Sequence, residues 1–425
     1  MKLLEVQQAV EETYLVADKG VIKLLVAIIV AHRMPTPPVW LFLVGASGSG
    51  KTEFINILTK IMGVTALSSL TPQTFISGQK RGKTDPSLLS RIKNGILLMK
   101  DFTTILAMNY EARAMIMGQM REIYDGKFIK HFGTGDSVVW EGKISLIAGT
   151  TDEIYNAREL YAAMGERFIM YCPHLPERKT VTRRAMGNVI DMDHRRDLIS
   201  TIVKKYIDEH LSTPPAEELP KTPDDLKSRI IDLADFATLA RSPVKRDSFS
   251  PSKEIIYKND PEMPTRFAAQ LETICLAFML INKFDNLGEV VLPEDEDILY
   301  KLALDSITVT RRQVMRKLTE YESVSTSALA EDMNYPVNTI RRWLEDLNAL
   351  GIVNVEKART HAKREDMWTL KQAYRDIITR YEGVKQKHES LSDEPKEPQE
   401  TIPLEQFEAE LEEAELPFAT PPTAP

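Results

Sequence analysis

The feature that most constrains this chain is the stretch Leu43 to Phe54, which reads LVGASGSGKTEF. An apolar run leads into a glycine-rich turn that ends in Lys51-Thr52, and a helix-compatible stretch follows from Glu53 to Ile61. The spacing fits the phosphate-binding loop pattern Gly-x-x-x-x-Gly-Lys-Thr at every position. A strand before the loop and a helix after it favour a nucleotide-binding α/β core over a chance glycine-rich turn.

The residue types of this loop suit a polyphosphate. Glycines let the backbone turn its N–H groups toward the phosphates, and the following helix adds a partial positive charge at its N-terminus. The lysine can reach the β- and γ-phosphates, and the Thr52 hydroxyl can bind Mg²⁺. We therefore predict ATP and Mg²⁺ as cofactors. The loop residues expected at the nucleotide are Gly45, Ala46, Ser47, Gly48, Ser49, Gly50, Lys51 and Thr52.

A second nucleotide element is expected as an apolar strand that ends in an aspartate. The run Ile96 to Met99 is followed by Asp101, whose carboxylate would lie beside the Mg²⁺ held by Thr52. Many such ATPases carry a glutamate directly after this aspartate to activate the attacking water, and here that position is Phe102. Either another residue is the base, with Glu122 as the candidate, or hydrolysis is slow.

A third apolar strand, Ile144 to Ala148, ends in Gly149-Thr150-Thr151. Thr151 is predicted to orient water or touch the γ-phosphate, although a polar strand end is also ordinary turn chemistry. Further along, Arg167 precedes an apolar pair and lies far in sequence from the phosphate loop. In a ring of subunits it could reach a neighbour's nucleotide as an arginine finger.

This order of elements resembles the AAA+ ATPases. Residues Arg121 to Thr151 place two strand-like stretches around Gly133–Asp136 before the third strand. A β-hairpin at this point resembles the pre-sensor-1 hairpin clade, which holds the minichromosome maintenance helicases, viral superfamily-three helicases and bacterial enhancer-binding activators. The long stretch Val64 to Asn94 resembles the insert in the second helix of that group. The resemblance implies a parallel sheet with flanking helices, a helical lid and a ring, with six subunits expected.

The later segments resemble the helicase branch most. Residues Leu233–Asp247 and Pro261–Phe278 are similar to the lid of minichromosome maintenance proteins, with Arg266 in place of the sensor-2 arginine. The activators' Gly-Ala-Phe-Thr-Gly-Ala loop is absent. Residues 18–370 also resemble an AAA+ group common in bacterial and phage genomes. This implies a helicase, translocase or remodeller in bacterial or mobile-element DNA replication.

A small domain from Ser325 onward resembles a winged helix-turn-helix module, with a recognition helix from about Val337 to Leu350. It could bind DNA or dock a protein. Two other basic spots, one on a glycine-flanked loop and one on the hairpin, could grip DNA in a central channel or be solvated loops. The residues predicted to contact DNA are Asn338, Thr339, Arg341 and Arg342 on the recognition helix, Arg359, Lys363 and Arg364 on the wing, Lys80, Arg81 and Lys83 on the loop, and Lys130 and His131, near Lys127, on the hairpin.

The formal net charge of −8 is unevenly distributed. From Glu389 to Pro425 there are eleven acidic residues and one basic residue, a net charge of −10 that leaves the rest of the chain at +2. This proline-rich tail is predicted to be disordered. Leu404 to Phe418 could form a partner-binding helix, or the tail could simply be solvated. The predicted units are an N-terminal helical segment, an ATPase core, a lid, a winged helix and the tail, at 1–35, 36–176, 177–321, 322–380 and 381–425.

Composition limits location and function. The longest early apolar run, Leu24 to Ala31, is too short to span a bilayer, and the N-terminus has no signal-peptide pattern. Two cysteines make no disulfide framework, so a cytoplasmic protein without membrane partners is expected. Two hypotheses follow. One is a ring-forming ATPase that acts on DNA, and the other is a nucleotide switch whose winged helix docks DNA or protein, with weak turnover.

Overall fold

The structure is a computed structural model. It describes residues 1–393 apart from 15, 78–86, 133–136, 157–166, 175–176, 189, 212–218, 248, 251–252, 259 and 361–362. The described helices are, in chain order, α1 (Leu3–Thr13), α2 (Gly20–Arg33), α3 (Lys51–Asn56), α4 (Leu88–Ile92), α5 (Thr103–Leu106), α6 (Tyr110–Tyr124), α7 (Arg178–Gly187), α8 (Met192–Leu211), α9 (Asp224–Arg241), α10 (Thr265–Phe284), α11 (Pro293–Asp305), α12 (Val309–Thr319), α13 (Thr326–Asp332), α14 (Val337–Ala349) and α15 (Gln372–Asp393). The described strands are β1 (Trp40–Val44), β2 (Val64–Leu67), β3 (Gly95–Met99), β4 (Lys127–His131), β5 (Ser137–Glu141), β6 (Ile144–Thr150), β7 (Ile169–Tyr171), β8 (Val244–Arg246), β9 (Ile255–Lys258), β10 (Val324–Ser325), β11 (Val353–Thr360) and β12 (Lys363–Leu370).

The centre of the fold is a five-stranded parallel sheet in the order β2-β3-β6-β1-β7. Four of its strands are buried along their whole length, as expected when helices cover both faces of a parallel sheet. Val44 pairs with Thr150, so β1 and β6 end level with each other. The predicted α/β class is therefore confirmed, and the segments after β1, β3 and β6 emerge at one edge of the sheet.

The two N-terminal helices belong to the packing of this core. Helix α1 ends at Thr13 and α2 begins at Gly20. Helix α2 is buried from Val21 to Ala31 and packs against α10 and the sheet. Its Lys23 ammonium lies 2.5 Å from an Asp295 carboxylate oxygen and 2.8 Å from the Asn282 amide oxygen, which compensates the burial of its charge.

Helix α10 is long and apolar enough to span a membrane by length and composition alone. However, 72% of its most apolar window is buried inside the protein. Its neighbours are α2, α9 and α11. In this fold it is a core helix.

Two hairpins project from the core. The predicted hairpin before the third strand is confirmed as the antiparallel pair β4–β5, in which Ile129 faces Val139. The segment between α9 and α10 contains the second hairpin, β8–β9. Arg246, at the end of β8, makes ion pairs with α14 that hold this second hairpin in place.

The C-terminal elements follow the predicted order of helix, turn, helix and two strands. β10, β12 and β11 form an antiparallel sheet beside α13 and α14. Arg359 pairs with Arg364 within the β11–β12 ladder, so both of these predicted wing residues lie on strands.

Helix α15 continues past the boundary predicted at residue 381 and ends at Asp393. Ile378, Tyr381 and Val384 recur every third residue and are buried, on the helix that packs on α11 and α12. The rest of the predicted tail, including Leu404 to Phe418, lies outside the described residues.

Candidate nucleotide-binding site

The phosphate loop connects β1 to α3 at the carboxyl edge of the sheet. Gly48 and Gly50 have φ values of +76° and +80°, a left-handed conformation that glycine adopts without steric cost. The N–H of Gly45 donates to the Thr150 carbonyl at 3.2 Å, which fixes the start of the loop on β6. The predicted helix after the loop is confirmed but shorter, since α3 ends at Asn56.

The Lys51 side chain folds back over its own loop. Its ammonium donates to the carbonyl oxygens of Gly45 and Ala46, both at 2.7 Å, and to the Ser49 hydroxyl at 3.2 Å. Burial lowers the pKa of Lys51, while the charges of Asp101 and Asp152 act in the opposite direction. A triphosphate in this loop would offer the ammonium oxygen acceptors that carry full charge in place of these carbonyls.

Oxygen ligands for a cation lie beside the loop. Asp101 is exposed two residues after β3, and its Oδ1 accepts a hydrogen bond from the N–H of Thr103 at 2.9 Å. The Thr103 hydroxyl donates to the same oxygen. Thr52 is also exposed, in the first turn of α3. A hydroxyl and a carboxylate at one edge suit Mg²⁺, which takes few protein ligands and completes its shell with phosphate oxygens and water.

Phe102 occupies the position directly after Asp101, where a catalytic glutamate would be expected. Its side chain is fully buried and packs edge-on against Phe42 with ring centroids 4.7 Å apart. Its N–H donates to the Gly149 carbonyl at 2.7 Å, which holds the backbone in this orientation. The residue after Asp101 therefore points into the core, and a glutamate there would be buried away from a bound nucleotide.

We expect Phe102→Leu to lower stability by about 1 kcal/mol, as for a conservative swap in a packed core, and to leave ATP turnover within about twofold. Thermal unfolding and steady-state ATPase rates measure the two effects. Phe42→Leu, on the other side of the same ring contact, is the matched variant and is expected to behave alike. Loss of turnover at unchanged stability in Phe102→Leu alone would place this side chain in the site.

Thr151 directly follows β6, as predicted, and is half-buried. Sequence reasoning missed its neighbour Asp152, which begins a 3-10 turn and is exposed. Asp152 lies close enough for its charge to raise the pKa of Lys51. The sequence did contain a signal for Asp152, because a carboxylate beside a polar strand end can face the phosphates. The prediction named only Thr151.

A cleft of about 420 Å³ opens from the loop toward the helices. Its other walls are the end of α1, the segment after β7, and helices α7 and α8, with Tyr14, His174, Arg184 and Arg196 among the lining residues. This volume falls in the range of small-molecule sites. The cleft can accept the base and ribose of a nucleotide whose phosphates occupy the loop.

Glu53 ties the cleft wall together. Arg196 donates to both carboxylate oxygens of Glu53, at 2.6 and 2.8 Å, and the Tyr14 hydroxyl donates to one of them at 3.0 Å. Although burial raises the pKa of Glu53, the hydrogen bonds and charge of Arg196 hold it below its usual range. The N-terminal segment and α8 are thus fixed to the helix that follows the phosphate loop.

The structure does not bring Arg167, Arg266 or Glu122 to this edge. Arg167 precedes β7, which runs parallel to β1, so it lies at the amino edge of the sheet. Glu122 is in the last turn of α6, where the neighbouring Tyr124 packs on Trp40 at the start of β1. Arg266 lines a cavity of about 490 Å³ at the same edge.

The residues predicted to contact DNA differ in their exposure and in their hydrogen-bond and ion-pair partners. Lys130 donates to the Ile76 carbonyl at 3.0 Å, Lys127 is paired with Glu141 at 2.7 Å, and His131 is exposed. Lys80, Arg81 and Lys83 lie outside the described residues, as do the side chains of Arg359, Lys363 and Arg364. On α14, Asn338 and Arg341 are exposed, and Thr339 and Arg342 are half-buried.

Helix α14, predicted as a recognition helix, contacts the second hairpin. Arg246 lies 2.8 Å from an Asp346 carboxylate oxygen and 3.0 Å from one of Glu345, and it donates to the Arg342 carbonyl at 2.7 Å. Asn338 and Arg341, nearer the start of α14, are exposed. A cavity of about 390 Å³ separates this helix from Asp152 at the nucleotide edge.

Comparisons with known proteins add little. No family model matches the chain, and no curated protein matches it. One similar solved structure is that of the Aeropyrum pernix Orc1 protein in complex with DNA, at 14% identity and a TM-score of 0.27, covering 87% of this chain and 93% of that one. A TM-score this low supports no inference about this chain.

Proposed function

We propose that this chain is an AAA+ ATPase of the pre-sensor-1 hairpin type, which hydrolyses ATP in a ring of subunits and acts on DNA as a helicase, translocase or remodeller. The observation that carries the proposal is a site divided between two edges of one sheet. A phosphate loop with Lys51, Thr52 and Asp101 lies at the carboxyl edge, and the buried Arg167 lies at the amino edge.

The carboxyl edge supplies what one subunit needs to hold ATP. Backbone N–H groups of the loop and the Lys51 ammonium bind the phosphates, and the cleft beside Tyr14 holds the base. Thr52 and Asp101 would hold Mg²⁺, which when bound neutralises charge on the phosphate oxygens. Thr151 and Asp152, which directly follow β6, would orient the attacking water.

The amino edge supplies what a neighbour needs. Four residue steps of β1 separate the two edges by about 13 Å, so Arg167 is far from its own γ-phosphate. Arg266 and Glu122 are near the same edge. Head-to-tail contact of identical subunits brings one edge against the other and closes into a ring, in which these groups would act on the next subunit's nucleotide. A hexamer is the size we propose.

The DNA part of the proposal rests on separate features. The β4–β5 hairpin carries Lys127, Lys130 and His131, and α14 presents Asn338 and Arg341 on an open face. Such side chains bind phosphates and base edges. The deciding experiment measures the ATPase rate with and without single- and double-stranded DNA at two salt concentrations. DNA stimulation that falls steeply with salt supports the proposal, and ATP turnover that DNA never changes contradicts the DNA part.

We expect Arg341→Ala combined with Arg342→Ala to weaken DNA binding and to flatten its salt dependence by about one unit of log–log slope for each lost phosphate contact. ATP hydrolysis without DNA is expected to be unchanged, because α14 lies outside the phosphate loop. Fluorescence anisotropy over a salt series measures the slope. Lys371→Ala, after the β12 strand, is the control, and an unchanged affinity and slope in the double variant would favour protein docking.

A second candidate function is a nucleotide-dependent switch with weak turnover. It is favoured by Phe102 in place of a catalytic glutamate and by the Arg246 contacts that join α14 to the lid hairpin. In that case ATP would alter how α14 is presented to DNA or protein. Nucleotide binding that changes DNA affinity, without DNA-stimulated hydrolysis, would support this alternative over the first.

A further inference from the structure

The carboxylate of Asp125 engages Arg167 with both of its oxygens. The Arg167 Nε atom lies 3.2 Å from Oδ1, and Nη2 lies 2.7 Å from Oδ2. The guanidinium is also 5.8 Å from the centroid of the Tyr124 ring. The Arg167 side chain is only 7% exposed, whereas that of Asp125 is 45% exposed. A two-point contact of this kind fixes the plane of the guanidinium as well as its position.

The location of Asp125 is unfavourable without a cation. It is the C-cap of α6, where the carbonyl end of the helix carries partial negative charge. The partial negative charge at this helix end therefore repels the Asp125 carboxylate. The Arg167 guanidinium beside it makes the net electrostatic interaction of this carboxylate favourable. Helix stability alone gives no reason for an aspartate here, so its contact with Arg167 accounts for the charge.

Asp125 is also separated from the β4–β5 hairpin by a single residue. Gly126 follows with a φ of +83°, and its carbonyl accepts the N–H of Gly142, at the end of the hairpin, at 3.0 Å. A Cβ on Gly142 would lie 2.2 Å from the Lys93 carbonyl oxygen, so the base of the hairpin is tightly enclosed. The carboxylate that holds Arg167 therefore lies at the tightly packed base of the hairpin, two residues before β4.

We propose that Asp125 is a positioning residue that ties Arg167 to the base of the β4–β5 hairpin. A nucleic acid bound by the hairpin then determines the orientation of the Arg167 guanidinium toward the neighbouring subunit. The inference rests on the function proposed above and adds to it a link between DNA and the rate of hydrolysis. Asp125 itself does not touch the nucleotide.

The test compares Asp125→Asn with the parent chain in three measurements: ATP affinity, kcat, and the ratio of ATPase rates with and without single-stranded DNA. Asparagine keeps the shape of the side chain and removes its charge. We expect ATP affinity within about twofold, kcat lower by about 10- to 100-fold as for a misplaced catalytic group, and a stimulation ratio close to one. Asp125→Glu, which keeps the charge, is expected to recover part of the kcat and part of the stimulation by DNA.

Glu111→Gln is the matched control, because it makes the same chemical change at an exposed position in the first turn of the same helix. It is expected to leave affinity, kcat and stimulation unchanged. Thermal unfolding of both variants separates a loss of positioning from a loss of folding. If Asp125 acts only through Arg167, the double variant Asp125→Asn with Arg167→Ala should be no slower than Arg167→Ala alone.

The outcomes separate the two proposals. If Arg167→Ala keeps the parent rate, the ring mechanism fails, and this inference fails with it. If Arg167→Ala is inactive but Asp125→Asn keeps both kcat and stimulation, only the role of Asp125 is overturned. A faster Asp125→Asn enzyme, or additive losses in the double variant, also overturns it. If the parent is not stimulated by DNA, the DNA link is wrong, and additivity of the two changes still decides whether Asp125 positions Arg167.

Discussion

Lys51→Ala is expected to reduce ATP hydrolysis by about 10²-fold or more, because it removes the ammonium that we propose binds the β- and γ-phosphates. In the structure this ammonium is held by the carbonyls of Gly45 and Ala46, so it stays at the loop before any nucleotide arrives. A bound triphosphate would replace these carbonyls as the acceptors of the ammonium. Steady-state ATPase rates and binding of a fluorescent ATP analogue give the two readouts.

A control is needed because Lys51 is also buried. Its three hydrogen bonds help to shape the loop, so the variant must be checked by thermal unfolding. Lys60→Ala is the matched variant, since Lys60 lies just beyond α3 and makes a surface ion pair with Asp197 at 2.6 Å. Such pairs contribute at most about 1 kcal/mol, and parent-like turnover is expected. Normal turnover in a folded Lys51→Ala protein would refute the nucleotide site itself.

The parts of the fold that local sequence encodes were predictable. The loop from Gly45 to Thr52 has a fixed spacing, and the strand before Asp101 is a continuous apolar run between turns, as a buried parallel strand requires. The β4–β5 hairpin and helix α14 were likewise found from short-range patterns. Each of these features depends on residues that are close together in sequence.

The parts that depend on packing between distant segments were not predictable. Glu122 looked suitable as a base because it is a carboxylate in the core domain, but the direction of α6 carries it to the far edge of the sheet. The extent of α15 depends on Tyr381, whose hydroxyl donates to Asp305 at 2.9 Å. No local pattern in the sequence identifies that partner.

The same limit applies to Arg167. From its sequence context alone, Arg167 could be an arginine finger or a structural residue paired with a neighbour such as Glu166 or Asp152. Glu166 lies outside the described residues, and the ion pair that the structure places on Arg167 is with Asp125. The two residues are far apart in sequence and meet only because β7 returns beside the end of α6. The pair is compatible with either role, so a functional test has to separate them.

Arg167→Ala is expected to leave ATP binding intact and to slow hydrolysis by about 10³-fold or more, the lower end of the effect of an arginine finger supplied in trans. The reason is geometric, since Arg167 lies at the opposite edge of the sheet from its own phosphate loop. ATP binding and single-turnover hydrolysis should be measured on the same preparation. Arg229→Ala, which removes ion pairs of the lid with Asp225 and Glu296, is the control and should keep the parent rate.

Mixing decides whether Arg167 acts on a neighbour. Arg167→Ala subunits keep an intact phosphate loop, and Lys51→Ala subunits keep an intact Arg167. In an equimolar mixture that assembles at random, about one head-to-tail interface in four joins the two intact halves, so activity should partly return. If Arg167 only stabilises the fold through Asp125, the single variant will unfold at a lower temperature and mixing will recover nothing. A folded Arg167→Ala protein with the parent rate would show that neither edge depends on this guanidinium.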